Sequence, residues 1–196
     1  MESALLNECD ATGAVFDGAT MERAEMRGAT LVNAKFKKCK LANAVMAECI
    51  ATGAVFDGAD LTNAKLTGAT VTGASFVGST LSGVVFAGLD VTGAIFKDAT
   101  FGGADLRGVI NLHKAKWCGA RFNNCAFADV DLDSVDLTGA CLWGAVLKGV
   151  VNLQRVTLDN LAGANLAGAN LEGVDLTGVN LSGAVFKGVI NLKSAT

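Results

Sequence analysis

The sequence predicts an all-β fold in which the chain winds as a coil with short, stacked sides. Apolar residues recur every five positions, and a small residue, most often alanine, lies two positions before most of them. Phenylalanines recur twenty residues apart, at Phe16, Phe36, Phe56, Phe76 and Phe96. A period of five fits neither a helix nor a long strand. Fixed internal repetition of this kind indicates a solenoid.

Each five-residue unit is expected to form one side of a coil. The apolar residue and the small residue two positions earlier lie on the same face of an extended segment, so both point inward. Stacked coils bury these pairs in a continuous interior. The phenylalanine spacing, and the return of ATGAVF (11–16) at 51–56, favour four sides per coil over three. We expect about nine coils at ~4.8 Å each.

These units resemble the pentapeptide repeat family, whose pattern is Ala-(Asp/Asn)-Leu followed by two variable residues. The best matches lie at 59–61, 104–106, 164–166 and 169–171, and the resemblance extends from about Ala4 to Leu192. It implies a right-handed quadrilateral parallel β-helix, formed as a single domain over 1–196. The family defines a shape rather than a reaction.

Composition agrees with repeated tight turns and argues against several classes of protein. The chain has 24 glycines and no proline, which suits an unbroken ladder of backbone donors. No apolar run approaches the ~20 residues of a membrane span, and the first ten residues keep the repeat register rather than forming a signal peptide. A net charge of −3 without a broad basic surface argues against nucleic-acid binding. We therefore expect a soluble protein.

The six cysteines are expected to be free thiols. Those at the small inward positions should be buried (Cys9, Cys39, Cys49 and Cys125), whereas Cys118 and Cys141 face outward. Cys9 and Cys49 share a side but lie two coils apart, beyond the ~7 Å limit between Cα atoms for a disulfide. No pair has the CxxC spacing of a zinc site. No metal or cofactor is expected.

The repeat gains one residue at three places, 108–112, 149–153 and 188–192. One extra residue in one side predicts a β-bulge. The stretch 153–163 is irregular, and we expect both Leu158 and Leu161 to point inward with a shortened side between them. All three bulges then lie on one side, two coils apart, and Trp117 continues the phenylalanine column.

The bulged side is the candidate interaction surface. Bulges often re-aim side chains near functional sites, and cations flank each one. The candidate residues are Arg107, His113, Lys114, Trp143, Lys148, Arg155, Lys187 and Lys193. Such a stripe suits an acidic partner or anionic lipid headgroups, and an outward tryptophan suits a partner contact. The alternative is solvated charge carried along with a duplicated forty-residue module. A basic cluster (Lys35, Lys37, Lys38 and Lys40) and an acidic one (Asp129, Asp131, Asp133 and Asp136) are expected to be solubilising.

Catalysis is not expected. His113 is the only histidine, tyrosine is absent, and no nucleophile is matched with a general base. A coil filled with side chains offers no cleft for a substrate. The sequence therefore predicts a structural or adaptor solenoid that mediates protein–protein interaction, as an accessory subunit of a larger assembly. Uncapped coil ends expose unpaired backbone groups and invite a partner or another copy.

Two further functions remain open. The family resemblance implies a DNA mimic that binds and protects DNA gyrase, although the acidic excess is modest: 12 Asp+Glu against 9 Lys+Arg over 1–107, and 7 against 7 over 108–196. A supercoiling assay separates this function from docking. Outward threonines (Thr20, Thr80 and Thr100) suggest ice binding, but Asp60 interrupts their column. The family's abundance in cyanobacteria and plastids implies a photosynthetic compartment, with cytoplasm, stroma and thylakoid lumen all open.

Overall fold

The chain winds so that residues twenty apart lie side by side. The computed structural model describes residues 4–156, 158 and 160–195. In most of the described five-residue units, one residue forms a parallel bridge with the residue about twenty positions later, as Leu5 does with Glu25 and Val15 with Lys35. The helical elements of the described chain are three short 3₁₀ turns, Leu112–Lys114, Leu153–Arg155 and Leu192–Ser194. No helix in the described ranges has the length and apolar character needed to cross a membrane.

Backbone hydrogen bonds explain why five residues suffice for one unit. Lys35 donates its N–H to Ala14 O of the preceding coil at 2.8 Å, and its carbonyl accepts from Phe16 N at 2.7 Å. Within a unit, Ala19 N donates to Phe16 O at 3.0 Å and closes a tight turn. The second of the two central residues of that turn is left-handed, with φ of 69° at Gly18. Glycine adopts this conformation without strain, which accounts for its frequency.

The Asp or Asn of the repeat pattern completes the turn. Asp60 Oδ1 accepts a hydrogen bond from Thr62 N at 3.0 Å, and Asn165 Oδ1 accepts one from Ala167 N at 3.0 Å. A short carboxylate or amide side chain can satisfy a backbone donor two residues onward, which favours the turn. These residues therefore stabilise the coil corner and face outward beside the inward leucine.

The predicted aromatic column is confirmed. Rings in the series Phe16, Phe36, Phe56, Phe76 and Phe96 stack with centroids 4.9–5.0 Å apart. Trp117 continues the column 4.4 Å from Phe96, and its Nε1 donates to Leu112 O at 2.9 Å. The rings belong to a continuous core that also contains alanine, leucine, valine and methionine.

Burial of the cysteines agrees with the sequence except at Cys9. Cys39, Cys49 and Cys125 are buried, Cys118 is exposed and Cys141 is intermediate. Cys9 was expected to be buried but is exposed, and that expectation was wrong. It occupies the inward position of the first described coil, where a described neighbouring coil lies on one side alone.

The register insertions have a different conformation from the predicted β-bulges. At each one an asparagine adopts the left-handed conformation (Asn111 φ 59°, Asn152 φ 62°, Asn191 φ 58°), and a 3₁₀ turn follows. The side-chain amide of each asparagine bonds to the preceding coil. The leucine that begins the 3₁₀ turn is buried at Leu112 and Leu153 and exposed at Leu192. After the first insertion the bridge spacing becomes 21, from Ile95 to Lys116.

The irregular stretch shortens the coil again. Val146 pairs with Asn165, only nineteen residues onward. Leu158 and Leu161 are both buried, as expected for two inward residues flanking a shortened side. Thr157 and Asp159, which lie in or beside that side, are outside the described residues.

Candidate functional site

The three insertions lie on one column of stacked units. Bridges join Asp90 to Ile110, Asp131 to Val151 and Asn170 to Ile190, and earlier in the same register Ile50 to Thr70. We call this series the insertion column: Ile50, Thr70, Asp90, Ile110, Asp131, Val151, Asn170 and Ile190. A 3₁₀ turn follows Ile110, Val151 and Ile190, so the turns recur on every second coil.

Each turn is tied to the preceding coil by the same polar contact. The left-handed asparagine donates its side-chain amide to the Asp or Asn at the bridge position twenty-one residues earlier. The three contacts are Asn111 to Asp90 at 3.1 Å, Asn152 to Asp131 at 2.6 Å and Asn191 to Asn170 at 3.0 Å. The acceptor also caps its own turn, as Asp131 does by accepting from Asp133 N at 2.9 Å. The insertion is thus a repeated two-coil unit with fixed polar groups.

Exposed β-branched residues lie beside these polar groups. Ile110 is 47% exposed, Val151 43% and Ile190 54%, and Ile50 in the same column is 43% exposed. Because a β-branched residue retains little rotamer freedom, its surface is already ordered. The column therefore presents apolar patches at regular intervals between fixed hydrogen-bonding groups.

A cavity of about 410 Å³ separates the first turn from the next coil. One wall contains Asn111, Leu112 and His113, and the other contains Asp129, Asp131 and Asp133. The 3₁₀ turn replaces the extended backbone that would pair with the next coil, and the described residues show no bridge between Ile110 and Asp131. The insertion therefore opens the space.

The carboxylates around the column are stabilised as anions. The amide of Asn152 lowers the pKa of Asp131, with smaller contributions from the N–H of Asp133 and the charge of His113. The hydroxyl of Thr92 lowers the pKa of Asp90, followed by the amide of Asn111. Hydrogen bonds to the charged form favour that form. Both carboxylates therefore remain charged at neutral pH.

The structure separates the predicted surface residues into groups. His113, Lys114 and Lys193 are exposed on the first and third turns, and Lys148 and Lys187 are exposed in the units before the second and third. Arg107 is also exposed, but its guanidinium pairs with Asp105, at 2.6 Å from Nη2 to Oδ2. Arg155 ends the second turn, and its side chain lies outside the described part.

Trp143 lies away from the insertion column. It is 47% exposed and follows Leu142, whose preceding residue Cys141 pairs with Arg121 in another column. The fold thus brings His113 together with the acidic cluster (Asp129, Asp131 and Asp133), which the sequence treated as unrelated, and leaves the tryptophan on a different surface. The signal was present in the twenty-residue register, which places 129–133 one coil after 108–112.

The column is an open polar and apolar surface rather than an enclosed reaction centre. Among the residues that the structure describes, no group of three His, Cys, Asp or Glu side chains has a geometry suited to a metal ion. The cavity walls supply carboxylates, one imidazole and backbone groups. Such an arrangement can bind a complementary surface through ion pairs and apolar contact.

These features define the protein class as a parallel β-solenoid made of five-residue units. A family model described as pentapeptide repeats matches residues 4–41, 31–68, 39–76, 74–110, 110–144 and 160–190. The chain belongs to the pentapeptide repeat family and is a right-handed β-helix. Members of this family generally serve as structural or interaction proteins.

Several solved structures are similar. HetL, a pentapeptide repeat protein involved in heterocyst differentiation regulation in the cyanobacterium Nostoc sp. strain PCC 7120, is 27% identical, with 100% of this chain and 90% of HetL covered and a TM-score of 0.56. A pentapeptide repeat protein of the Arabidopsis thaliana thylakoid lumen is 25% identical over 61% of this chain and 69% of its own, at a TM-score of 0.40. QnrB1, a plasmid-mediated fluoroquinolone resistance protein, is 19% identical over 98% and 91%, at 0.41. No match was found among the curated proteins.

Proposed function

We propose that this chain is a non-enzymatic docking protein that binds another protein through the insertion column. In this proposal the β-helix has four five-residue sides, about nine coils at ~4.8 Å each, and a single domain over 1–196. The observation that carries the proposal is the alternation of exposed Ile110, Val151 and Ile190 with the hydrogen-bonded Asp131 and Asn170.

Preorganisation supports a docking role for this side. The amide contacts from Asn111, Asn152 and Asn191 hold the turns against the preceding coils. A surface that is ordered before binding loses less conformational entropy when a partner arrives. Protein interfaces typically have an apolar buried centre surrounded by a polar rim. The exposed apolar side chains of the insertion column, with polar groups beside them, match that pattern.

The charge pattern favours a protein partner over a lipid surface. His113 lies beside Asp131 and Asp133, and the charge of Lys114 helps to lower the pKa of Asp90, so the stripe is mixed in sign rather than uniformly basic. Anionic headgroups bind clusters of cations without intervening carboxylates. HetL, at 27% identity and a TM-score of 0.56, is involved in the regulation of a developmental process, which agrees with a regulatory or accessory subunit of a larger assembly.

Site-specific photo-crosslinking in the cells of origin tests the proposal. A photoreactive residue placed at Ile110 or Val151 should crosslink to a defined partner protein. Val85 (51% exposed) and Val15 (65% exposed) are matched control positions on other columns and should give little product. Equal crosslinking at all four positions, or none at Ile110 and Val151, contradicts docking through this column.

A further inference from the structure

We propose that the solenoid has a hinge at a hydrated slit between the coil of Lys65 and the coil of Val85. The slit is the space between residues 64–71 of the earlier coil and residues 84–90 of the later one. The exposed docking residues Ile110, Val151 and Ile190 all follow it in the chain. Bending at the slit therefore moves residues 4–80 relative to the docking surface, and the hinge does not depend on docking.

The ladder of backbone hydrogen bonds is interrupted along part of this pair of coils. Among the described residues 4–116, every other pair of successive coils is bonded in each of its five-residue units. In this pair, Leu61 N donates to Thr80 O at 2.8 Å, and Phe76 N donates to Ile95 O at 2.7 Å. Between these bonds lie the N–H groups that make no ladder hydrogen bond in this described stretch, before bonding resumes at Gly73: Leu66, Gly68 and Val71 on the earlier coil, and Val85 and Asp90 on the later one.

The parallel bridges are interrupted at the same place. Lys65 is bridged to the coil before it and Val85 to the coil after it, but no bridge joins Lys65 to Val85 in this described stretch. Thr70 and Asp90, in the next unit, show the same interruption. The coils are therefore separated along one part of their circumference and joined along the rest.

Two bulky buried residues hold the slit open. Val84 and Leu89 lie at inward positions where the preceding coil has alanine, and both are 0% exposed. In the bonded unit of Phe76 the corresponding residues of the two coils are both alanine, Ala74 and Ala94. A close-packed core has no free space for the larger side chains, so the backbones beside them move apart.

Water completes the hydrogen bonding inside the slit. The slit contains a gap of about 120 Å³, lined in part by Lys65, Leu66, Gly83 and Val85. Backbone N–H and C=O groups need a hydrogen-bond partner when they are not exposed. The gap has room for about four waters at ~30 Å³ each. Waters that bridge the two coils replace the ladder bonds, and unlike those bonds they exchange with the solvent.

The bonded part of the same two coils supplies the axis of the hinge. Phe76 stacks on Phe96 with ring centroids 4.9 Å apart, so the aromatic column continues across this pair of coils. Bending at the slit rearranges bridging waters, whereas bending at any other pair of coils within residues 4–116 strains a complete set of ladder bonds. Motion is therefore expected where the fewest backbone bonds resist it.

Distances between two spin labels, measured by pulsed electron paramagnetic resonance on the full chain, test the hinge. The accessible thiols are first removed with Cys9→Ala, Cys118→Ala and Cys141→Ala. One label pair, Val45→Cys with Ala126→Cys, spans the slit on its open part. The control pair, Lys35→Cys with Lys116→Cys, spans the same two coils along the bonded part. Both pairs are about 19 Å apart, at ~4.8 Å per coil.

The distance distribution of the pair across the slit should be broader than that of the control pair. Val84→Ala/Leu89→Ala should narrow the first distribution to the width of the second and leave the second unchanged. Equal widths in the chain with Val84 and Leu89 intact overturn the hinge, and that comparison does not require the double variant to fold. A distribution that stays broad in a folded double variant overturns the role of the two bulky side chains.

Magnetisation transfer from water to amide protons tests the hydration separately. Contacts with bound water should be seen at the amides of Leu66 and Val85 and should be missing at Phe56, whose N–H donates to Ser75 O at 2.7 Å. No water contact at Leu66 and Val85 overturns the hydrated slit. Crosslinking at Ile110 tests docking alone, so its failure leaves the hinge standing.

Discussion

Asn152 donates its side-chain amide to Asp131 Oδ1 of the preceding coil at 2.6 Å, while its own backbone is left-handed. One residue therefore performs two tasks at the second insertion. Its left-handed backbone leads into the 3₁₀ turn Leu153–Arg155, and its amide fixes the turn to the neighbouring coil.

Separating these tasks gives a stability prediction. Asn152→Gly keeps the left-handed backbone and removes the amide, so the free energy of unfolding should fall by ~1 kcal/mol, the typical value of one hydrogen bond. Asn152→Ala should cost ~1–2 kcal/mol more because alanine is strained at φ 62°. Asn124→Gly is the control: Asn124 has φ 59° and no side-chain hydrogen bond among the described contacts, so its change should stay within about 0.5 kcal/mol. Equal losses at positions 152 and 124 in urea unfolding contradict the role of the amide.

The Asp131 carboxylate should make stability depend on pH in the acid range. Its pKa is lowered from 3.8, first by the Asn152 amide, so the folded state favours the anion. Stability from this contact is therefore present above pH ~4 and is lost as the pH falls through the lowered pKa. Asp131→Asn should flatten part of the fall in melting temperature below pH ~4. The chain already contains this neutral pair, since Asn170 accepts from Asn191 at 3.0 Å. If the melting temperature of Asp131→Asn falls with acid as steeply as that of the wild type, the Asp131 carboxylate does not contribute the expected stability.

The aromatic column should be most sensitive at its centre. Phe56 is 1% exposed and stacks on Phe36 and Phe76 at 5.0 Å. Phe56→Ala should destabilise the fold by ~3–5 kcal/mol, the usual cost of a large aromatic cavity. Phe16→Ala should cost less because Phe16 is only partly buried against the core and stacks on one ring. If chemical denaturation shows the same loss in the free energy of unfolding for both variants, the prediction is wrong and the two rings are equally well packed.

Thiol reactivity should divide the cysteines into two groups. Burial raises the pKa of Cys49 and Cys125 to about 12 and that of Cys39 to about 11. Since the thiolate is the reactive form, these thiols should react with a disulfide reagent at pH ~8 only when the coil opens. Cys9 and Cys118 are exposed and should react first. The double variant Cys9→Ala/Cys118→Ala should lose the fast phase, and a fast phase that persists contradicts the described burial.

The sequence correctly predicted the contacts that follow from identical residues repeating every twenty positions. Its predictions failed where the burial of a residue depends on a neighbouring coil, or where two backbone conformations can accommodate the same extra residue. Phe36 on Phe56 follows from a twenty-residue period alone. The burial of Cys9 depends on whether coils lie on both sides, which the pattern of its own unit does not show. The insertion at Asn111 was located correctly, but a bulge and a left-handed asparagine with a 3₁₀ turn add the same single residue. The meeting of His113 with Asp131 required two register positions to be compared, rather than each cluster by itself.

The ladder of backbone hydrogen bonds between successive coils should have a weak point between the coil of Lys65 and the coil of Val85. The inward small positions of the later coil hold Val84 and Leu89, where the earlier coil has Ala64 and Ala69. Their larger side chains separate the coils and leave a gap of about 120 Å³ lined by Lys65, Gly83 and Val85. In this described stretch no ladder hydrogen bond is made by the N–H of Leu66, Val71, Val85 or Asp90.

Hydrogen exchange should therefore be fastest at those amides. Unpaired N–H groups exchange through local openings that need little free energy, whereas Phe56 N, bonded to Ser75 O at 2.7 Å, should be strongly protected. Replacing both bulky residues in Val84→Ala/Leu89→Ala should let the coils close and slow exchange at Leu66 and Val85 toward the rate of Phe56. The double variant Val91→Ala/Val71→Ala, at the inward centres of the units that contain Leu89 and Ala69, is the control and should not slow it. Exchange at Leu66 that is as slow as at Phe56 in the wild type contradicts the gap.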